Sequence, residues 1–142
     1  MRPADAEHLL RRALSISEAA LGPNHPYCAT ALNNLAQAAK RAHRFSEAEQ
    51  FYRRALDIWM RTAGEQSIDY ALTLANFADL FRVQGKLLGA ESMYRRAINT
   101  LSRWLGPDHP AVRSRRQSLD ELSRINARYD IHRVSIQTLR RR

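Results

Sequence analysis

The segment AEQFYRRAL at residues 48–56 has two counterparts in the chain, AEHLLRRAL at residues 6–14 and AESMYRRAI at residues 90–98. The three copies align without gaps at a constant offset of 42 residues. The same offset brings GPNHP at residues 22–26 onto GPDHP at residues 106–110. Agreement this dense at one fixed period is typical of a repeat architecture, in which each period is one supersecondary unit.

Apolar residues recur at helical spacing within each period, as at Leu32, Leu35 and Ala36, so each period predicts a pair of helices. The predicted helices lie at about residues 3–21, 26–41, 45–63, 67–84, 87–105 and 109–127. Alanines recur at two positions of the repeat and predict close helix crossings, which only small side chains permit; they are Ala36 and Ala48, with Ala78 and Ala90 one period later. The aromatic residues between the helix pairs are predicted to fill the core; they are Phe51, Tyr52, Phe77, Phe81 and Tyr94.

The linkers between the periods carry signals that end one helix and start the next. Gly22 supplies the positive φ that follows a helix end, and Pro23 cannot continue the helix. Asn24 and its counterpart Asp108 are predicted to accept hydrogen bonds from the first free amides of the following helix. Ser67 takes that capping role in the middle linker, which lacks both prolines.

The composition agrees with a single all-helical domain. The chain has 142 residues, 44% of them hydrophobic and 26% charged, which excludes a disordered chain. Five glycines and five prolines are too few for the turns of a β-sandwich or barrel. Cys28 is the only cysteine, so neither a disulfide nor a cysteine zinc site can form within the chain. Without a signal peptide or a membrane-spanning stretch, the chain is predicted to be soluble and cytoplasmic.

The repeat resembles the tetratricopeptide repeat (TPR) in the 42-residue form found in kinesin light chains. The matching residues are Leu35, Ala36, Ala48, Tyr52, Ala55, Phe77, Ala78, Phe81, Gly85, Ala90, Tyr94 and Ala97, with the Leu-Gly-Pro-Asn/Asp-His-Pro linkers. The resemblance implies an all-α fold, a right-handed α-solenoid of antiparallel helix pairs over residues 1–127. It also implies a protein-interaction module or scaffold without enzymatic activity and without a cofactor.

Both ends of the chain depart from the family pattern. The first helix is of the second type in a pair, and its usual preceding partner is absent from the sequence. Near the other end, Asp120 occupies the place of Ala36 and Ala78, so the helix from residue 109 is predicted to be a polar cap. Residues 128–142 are predicted to form either a basic tail or a weak final helix that begins at Asp130.

No motif for catalysis is recognisable in the sequence. The chain lacks a phosphate-binding loop, a nucleophile elbow and a pair of metal-spaced histidines on one helix face, so no catalytic or metal site is predicted. His25 and His109 lie one period apart and are predicted to organise the turn beside the following proline. Cys28 falls at the repeat position of Tyr70 and Val112, which predicts a half-buried packing role.

The net charge of +9 raises the question of nucleic-acid binding, and +6 of it lies in residues 103–142. Arginine pairs recur every 42 residues on the second helix of each repeat and could follow phosphates. In each copy, however, a glutamate stands four residues before the first arginine, as Glu7 does before Arg11. This spacing favours ion pairs within the helix, and nucleic acid is therefore the less favoured partner.

The family resemblance also implies a concave groove that holds peptides. Asn34 and Asn76 match the family asparagine that grips a peptide backbone, and arginine suits carboxylates. The other predicted groove residues are Asn33, Gln37, Lys40, Arg41, Asp79, Arg82, Gln117, Glu121 and Arg124. The predicted ligand is an acidic or mixed-charge peptide of a partner protein. The alternative interpretation is that Asn34 and Asn76 bridge neighbouring helices within the array.

A third hypothesis is homo-oligomerisation through the first helix. Its face with Leu9, Leu10 and Ile16 lacks the cover that a preceding helix would give. Two chains could therefore pair through this face into a homodimer.

Overall fold

The structure, a computed structural model, describes residues 2–140 of the chain, without the side chains of residues 134 and 135. Six α-helices and no strand occur among these residues. The helices are α1 (Pro3–Leu21), α2 (Pro26–Arg41), α3 (Phe45–Thr62), α4 (Ile68–Val83), α5 (Leu87–Leu105) and α6 (Pro110–Arg140). Each helix packs mainly on its neighbours in sequence, which produces a solenoid. The predicted fold class and the bounds of the first five helices are confirmed.

The sixth helix is longer than predicted. α6 runs for 31 residues without a break, where a helix end near residue 127 was expected. Asp130, the predicted start of a separate final helix, lies inside α6. Residues 127–131 contain neither glycine nor proline, so no local signal ends the helix there. Residues 141 and 142 of the predicted tail lie outside the described residues.

Histidines cap the helices that follow the two proline-containing linkers. The Nδ1 atom of His25 accepts a hydrogen bond from the Tyr27 amide (3.2 Å), and His109 accepts from Ala111 in the same way (3.1 Å). The prediction of Asn24 and Asp108 as caps is wrong because the capping position directly precedes the first helical residue, which is proline in both linkers. The structural role predicted for both histidines is confirmed.

The other linker signals act as expected. Ser67 Oγ accepts from the Tyr70 amide (3.2 Å) and caps α4. Gly22 has φ +89°, a value that side chains disfavour, and it ends α1. The Cys28 thiol donates to the Gly22 carbonyl oxygen (3.4 Å) and is fully buried, so its packing role is confirmed, although it is more buried than predicted.

Small residues at the helix crossings and aromatic residues between them form the core. The alanines at the crossings are fully buried; they are Ala36, Ala48, Ala78 and Ala90. Tyr52 and Phe77 stack with ring centroids 5.4 Å apart, and Phe77 meets Phe81 edge to face at 4.9 Å. Tyr94 is fully buried in the next cluster. The predicted core role of these aromatics is confirmed, with Phe51 and Phe81 only partly buried.

α6 packs on α5 through one face only. Val112 and Leu122 are buried on this face, with Leu119 half-buried beside them. Arg113, Arg116 and Asp120 are exposed, whereas their repeat counterparts in α2 are buried alanine and leucine residues. Asp120 therefore needs no partner, because no helix among residues 2–140 packs against it.

Candidate functional site

A row of half-buried polar side chains crosses the first helices of successive repeats, α2, α4 and α6. Asn76 Nδ2 donates to Asn33 Oδ1 (3.1 Å), and Asn76 Oδ1 accepts from Arg115 Nη2 (3.4 Å). We call Asn33, Asn76 and Arg115 the polar row. Because both ends of the Asn76 amide are engaged, Asn76 connects the helices, as the alternative interpretation expected.

Arg115 is missing from the predicted groove residues. Its repeat counterparts, Ala31 and Thr73, are buried, so the pattern marks position 115 for packing. The sequence feature that could have identified Arg115 is the change from a small residue to arginine at this repeat position. It lies on the side of α6 that faces α4. An arginine here has no equivalent in the earlier repeats and reaches the carboxamide of Asn76.

Asp79 is partly committed to the packing of α4 on α5. The Tyr94 hydroxyl donates a hydrogen bond to Asp79 Oδ1. Burial raises the pKa of Tyr94, and this hydrogen bond raises the pKa further. Tyr94 therefore remains a neutral donor at ordinary pH. Asp79 is half-buried, and its predicted contact with a ligand would have to use the other carboxylate oxygen.

The predicted basic residues of the groove are not paired with carboxylates in the described part of the chain. Lys40, Arg41, Arg82 and Arg124 form no ion pair within residues 2–140, and all except Lys40 are exposed. The three contribute guanidinium groups that can bind carboxylates in a fork. In this respect they differ from Asn76, whose amide is engaged at both ends.

Asn34, Gln37 and Arg41 lie apart from the polar row, in an open groove of about 600 Å³ between α1 and α2. Leu10 and the first turn of α1 form the other wall of this groove. One repeat later, the equivalent region is a closed cluster of alanines, Tyr52 and Leu80. Asn34 thus lines this groove, whereas Asn76 contacts Asn33, although Asn34 and Asn76 occupy the same repeat position.

Gln117, Glu121 and Arg124 surround a different hollow of about 540 Å³ on α6. This hollow also includes Arg113 and Asp120, so it is polar and of mixed charge. The predicted groove residues therefore fall into three groups, the polar row with its neighbours, the α1–α2 groove and the hollow on α6.

The recurring arginines on the second helices are paired with glutamate. The ion pairs Glu7–Arg11 (2.9 Å), Glu49–Arg53 (2.7 Å) and Glu91–Arg95 (2.6 Å) repeat at one position. Arg44 also pairs with Glu7 and ties the start of α3 to α1. The predicted pairing within the helices is confirmed. The positive charge of these recurring arginines is therefore largely neutralised by glutamates of the chain itself.

Glu91 joins α5 to α6 and predicts acid sensitivity. Its carboxylate accepts hydrogen bonds from Arg95, Asn126 and Ser123, and these bonds, that of Arg95 first, lower its pKa below the ordinary 4.5. Because the pKa of Glu91 is lower in the folded chain than in the unfolded chain, its ionised carboxylate stabilises the fold above about pH 4.5. This stabilisation is lost as the pH falls through the pKa of Glu91 in the folded chain. We expect Glu91→Gln to lose less stability than the parent chain between pH 7 and pH 3, measured by urea unfolding.

Glu121→Gln is the matched control for this experiment. It removes the same charge at an exposed carboxylate that makes no hydrogen bond within residues 2–140. A difference in the pH dependence of stability between the two variants measures the contribution of the hydrogen bonds that Glu91 accepts. An equal pH dependence in both variants would show that the cluster contributes nothing.

The described residues contain no group of metal-ligating side chains, and none of their helices is long and apolar enough to cross a membrane.

Comparisons with known proteins agree on the repeat. A sequence model of the Tetratricopeptide repeat family matches residues 1–61 and again residues 37–101. Kinesin light chain TPR-like repeats from Podosopora anserina superpose with a TM-score of 0.79 at 18% identity, over 88% of this chain and 59% of that chain. BtubC (BKLC) from P. vanneervenii gives a TM-score of 0.67 at 27% identity, over 91% of this chain and 58% of that one. None of the curated proteins matches.

The chain thus spans less than two thirds of these solved structures. Their likeness supports a right-handed TPR-like solenoid, and repeats of this family generally mediate protein–protein interactions. The family model covers more than half of the chain, including both the first and second repeat units. The chain belongs to the tetratricopeptide repeat family.

Proposed function

We propose that this chain is a protein-binding module that holds an acidic or mixed-charge peptide along α2 and α4 and performs no reaction of its own. The observation that carries the proposal is the contrast between two sets of cations. On the second helices, Arg11, Arg53 and Arg95 are paired with glutamates. On the first helices, Arg41 and Arg82 are exposed without ion pairs in the described part of the chain.

The polar row supplies fixed groups on the same two helices as these cations. Asn33 accepts from Asn76 through its oxygen, so its own amide hydrogens are available to a peptide carbonyl. The bond from Asn76 holds this amide in place, which lowers the entropy lost on binding. The exposed guanidinium of Arg82 would then bind a carboxylate side chain of the same peptide.

A charge reversal at Arg82 tests the proposal. On arrays of acidic, mixed and basic peptides, we expect the chain to retain acidic and mixed sequences. Arg82→Glu should weaken the best of these by about tenfold or more in fluorescence anisotropy, because a charge-assisted hydrogen bond is lost and repulsion replaces it.

Arg12→Glu is the matched control, because Arg12 is also exposed and unpaired in the described chain but lies on α1. It should change peptide affinity by less than about twofold, mainly through the net charge. Equal losses in the two variants, or equal retention of basic peptides, would contradict the proposal.

Pairing of two chains through α1 is the second candidate. Leu9 and Ile16 are exposed on α1, and α1 has no buried residue at all. Leu10, which was predicted to lie on the same uncovered face, is half-buried because it lines the α1–α2 groove.

The location that we propose for the chain is the cytoplasm. The free thiol of Cys28 suits this reducing compartment.

A further inference from the structure

The C-terminal part of α6 extends beyond the packed repeats. Among the described side chains of the helix, Asn126 is the last that is buried, and those after it are exposed. The hydrogen bond from Asn126 to Glu91 fixes α6 on α5 at this point. Because the packed part of α6 nucleates the helix, the remaining residues can stay helical without packing of their own.

The C-terminal part of α6 carries a largely apolar stripe with a seven-residue period, in which His132 is the polar member. Its members follow one another at intervals of four and three residues, the spacing of a coiled-coil seam. We call these residues the C-terminal seam: Ile125, Tyr129, His132, Ile136 and Leu139. At 100° per residue they fall within an arc of about 80°. Tyr129, Ile136 and Leu139 are 66%, 52% and 72% exposed, so nothing in the described chain covers the seam.

The charges beside the seam have one sign. Arg128 flanks it on one side, and Arg133 and Arg140 flank it on the other. None of the three forms an ion pair within residues 2–140. Asp130, the acidic residue of this stretch, lines a groove beside the start of α5 together with Tyr129 and Arg133. The C-terminal seam is therefore a largely apolar strip with arginines on both of its edges.

We propose that the C-terminal seam binds an acidic amphipathic helix of a partner protein. A helix with apolar residues at the facing positions would bury Tyr129, Ile136 and Leu139, and glutamates beside them would pair with the arginines. This surface is distinct from the proposed peptide-binding surface of α2 and α4, so the partner helix and the peptide can be tested separately.

The flanking charges distinguish this occupant from others. In a parallel pair with a second copy, Arg128 would face Arg133 of the other chain, and an antiparallel pair also brings positive edges together. A lipid surface favours a helix with a broader apolar face than an arc of about 80°. Charge complementarity therefore favours an acidic protein helix.

The test uses the full chain and two synthetic peptides of about three heptads, with leucine and isoleucine at the seam positions. One peptide carries glutamate at the flanking positions and the other carries lysine. At low salt we expect at least tenfold tighter binding of the glutamate peptide, measured by fluorescence anisotropy. Ile136→Glu should weaken this binding by at least tenfold. Ile131→Glu, an equal change at an exposed residue outside the seam, should alter it by less than twofold.

A second variant keeps the seam intact and guards against local unwinding. Arg128→Glu combined with Arg133→Glu should reverse the preference toward the lysine peptide. Equal binding of both peptides, or equal losses at positions 131 and 136, would overturn the proposal. So would seam-dependent dimerisation in sedimentation equilibrium, or binding only to vesicles of phosphatidylserine and phosphatidylcholine. In the Arg82→Glu chain, the glutamate peptide should still bind more tightly than the lysine peptide and should still lose affinity with Ile136→Glu, which separates this result from a failure of the α2–α4 surface.

Discussion

Replacing Ala78 by aspartate is expected to lower the free energy of unfolding by more than about 4 kcal/mol, or to prevent folding altogether. Ala78 is fully buried in α4 and belongs to one cluster with Ala90 and Tyr94 of α5. A carboxylate there would lose its hydration without a partner and would force the two helices apart. Chemical unfolding followed by far-UV circular dichroism measures the loss.

The chain provides its own control at the same repeat position. Asp120 is the counterpart of Ala78 in α6 and is exposed. Asp120→Ala should therefore change the stability by no more than about 0.5 kcal/mol, as surface substitutions usually do. A loss of stability in Asp120→Ala as large as in Ala78→Asp would mean that the outer face of α6 is packed. A normally stable Ala78→Asp chain would mean that the α4–α5 crossing is open to water.

The period of 42 residues was sufficient to predict the helices and the buried aromatics, because both depend on patterns that repeat within the chain. The ion pairs such as Glu49–Arg53 were predictable for a similar reason, since partners four residues apart in one helix must be neighbours. The end of α6 was not predictable in this way. The sequence past residue 127 no longer follows the repeat, and its helix continues from the turn at which Asn126 bonds to Glu91.

The candidate site shows where repeat alignment misleads. Alignment equates Asn34 with Asn76, yet Asn76 contacts Asn33, and Asn34 lies in the groove beside α1. Side chains at the same repeat position of α2 and α4 point in the same direction. A contact between these two helices therefore joins different repeat positions, as Asn33 and Asn76 do. The same reasoning explains why Arg115 was missed, since its contact with Asn76 crosses from one repeat to the next.

Phe77→Ala is expected to cost about 3 to 5 kcal/mol of stability, the usual range for removal of a buried aromatic ring. Phe77 is 2% exposed and lies in the cluster that joins α2, α3 and α4. Its ring stacks on Tyr52 and meets Phe81 edge to face, and the Arg53 guanidinium covers it at 5.5 Å. The alanine variant leaves a cavity between three helices that cannot close without moving two of them. Denaturant unfolding of parent and variant measures the difference.

Two further variants separate this cavity from a general weakness of α4. Phe77→Leu introduces the residue that stands at the same repeat position in the neighbouring repeats, Leu35 and Leu119. It retains most of the buried volume and should lose only about 1 to 1.5 kcal/mol. Val83→Ala, at a residue that is 52% exposed near the end of the same helix, should change stability by no more than about 0.5 kcal/mol. If Phe77→Leu lost as much as Phe77→Ala, the aromatic contacts rather than the filled volume would hold the three helices together.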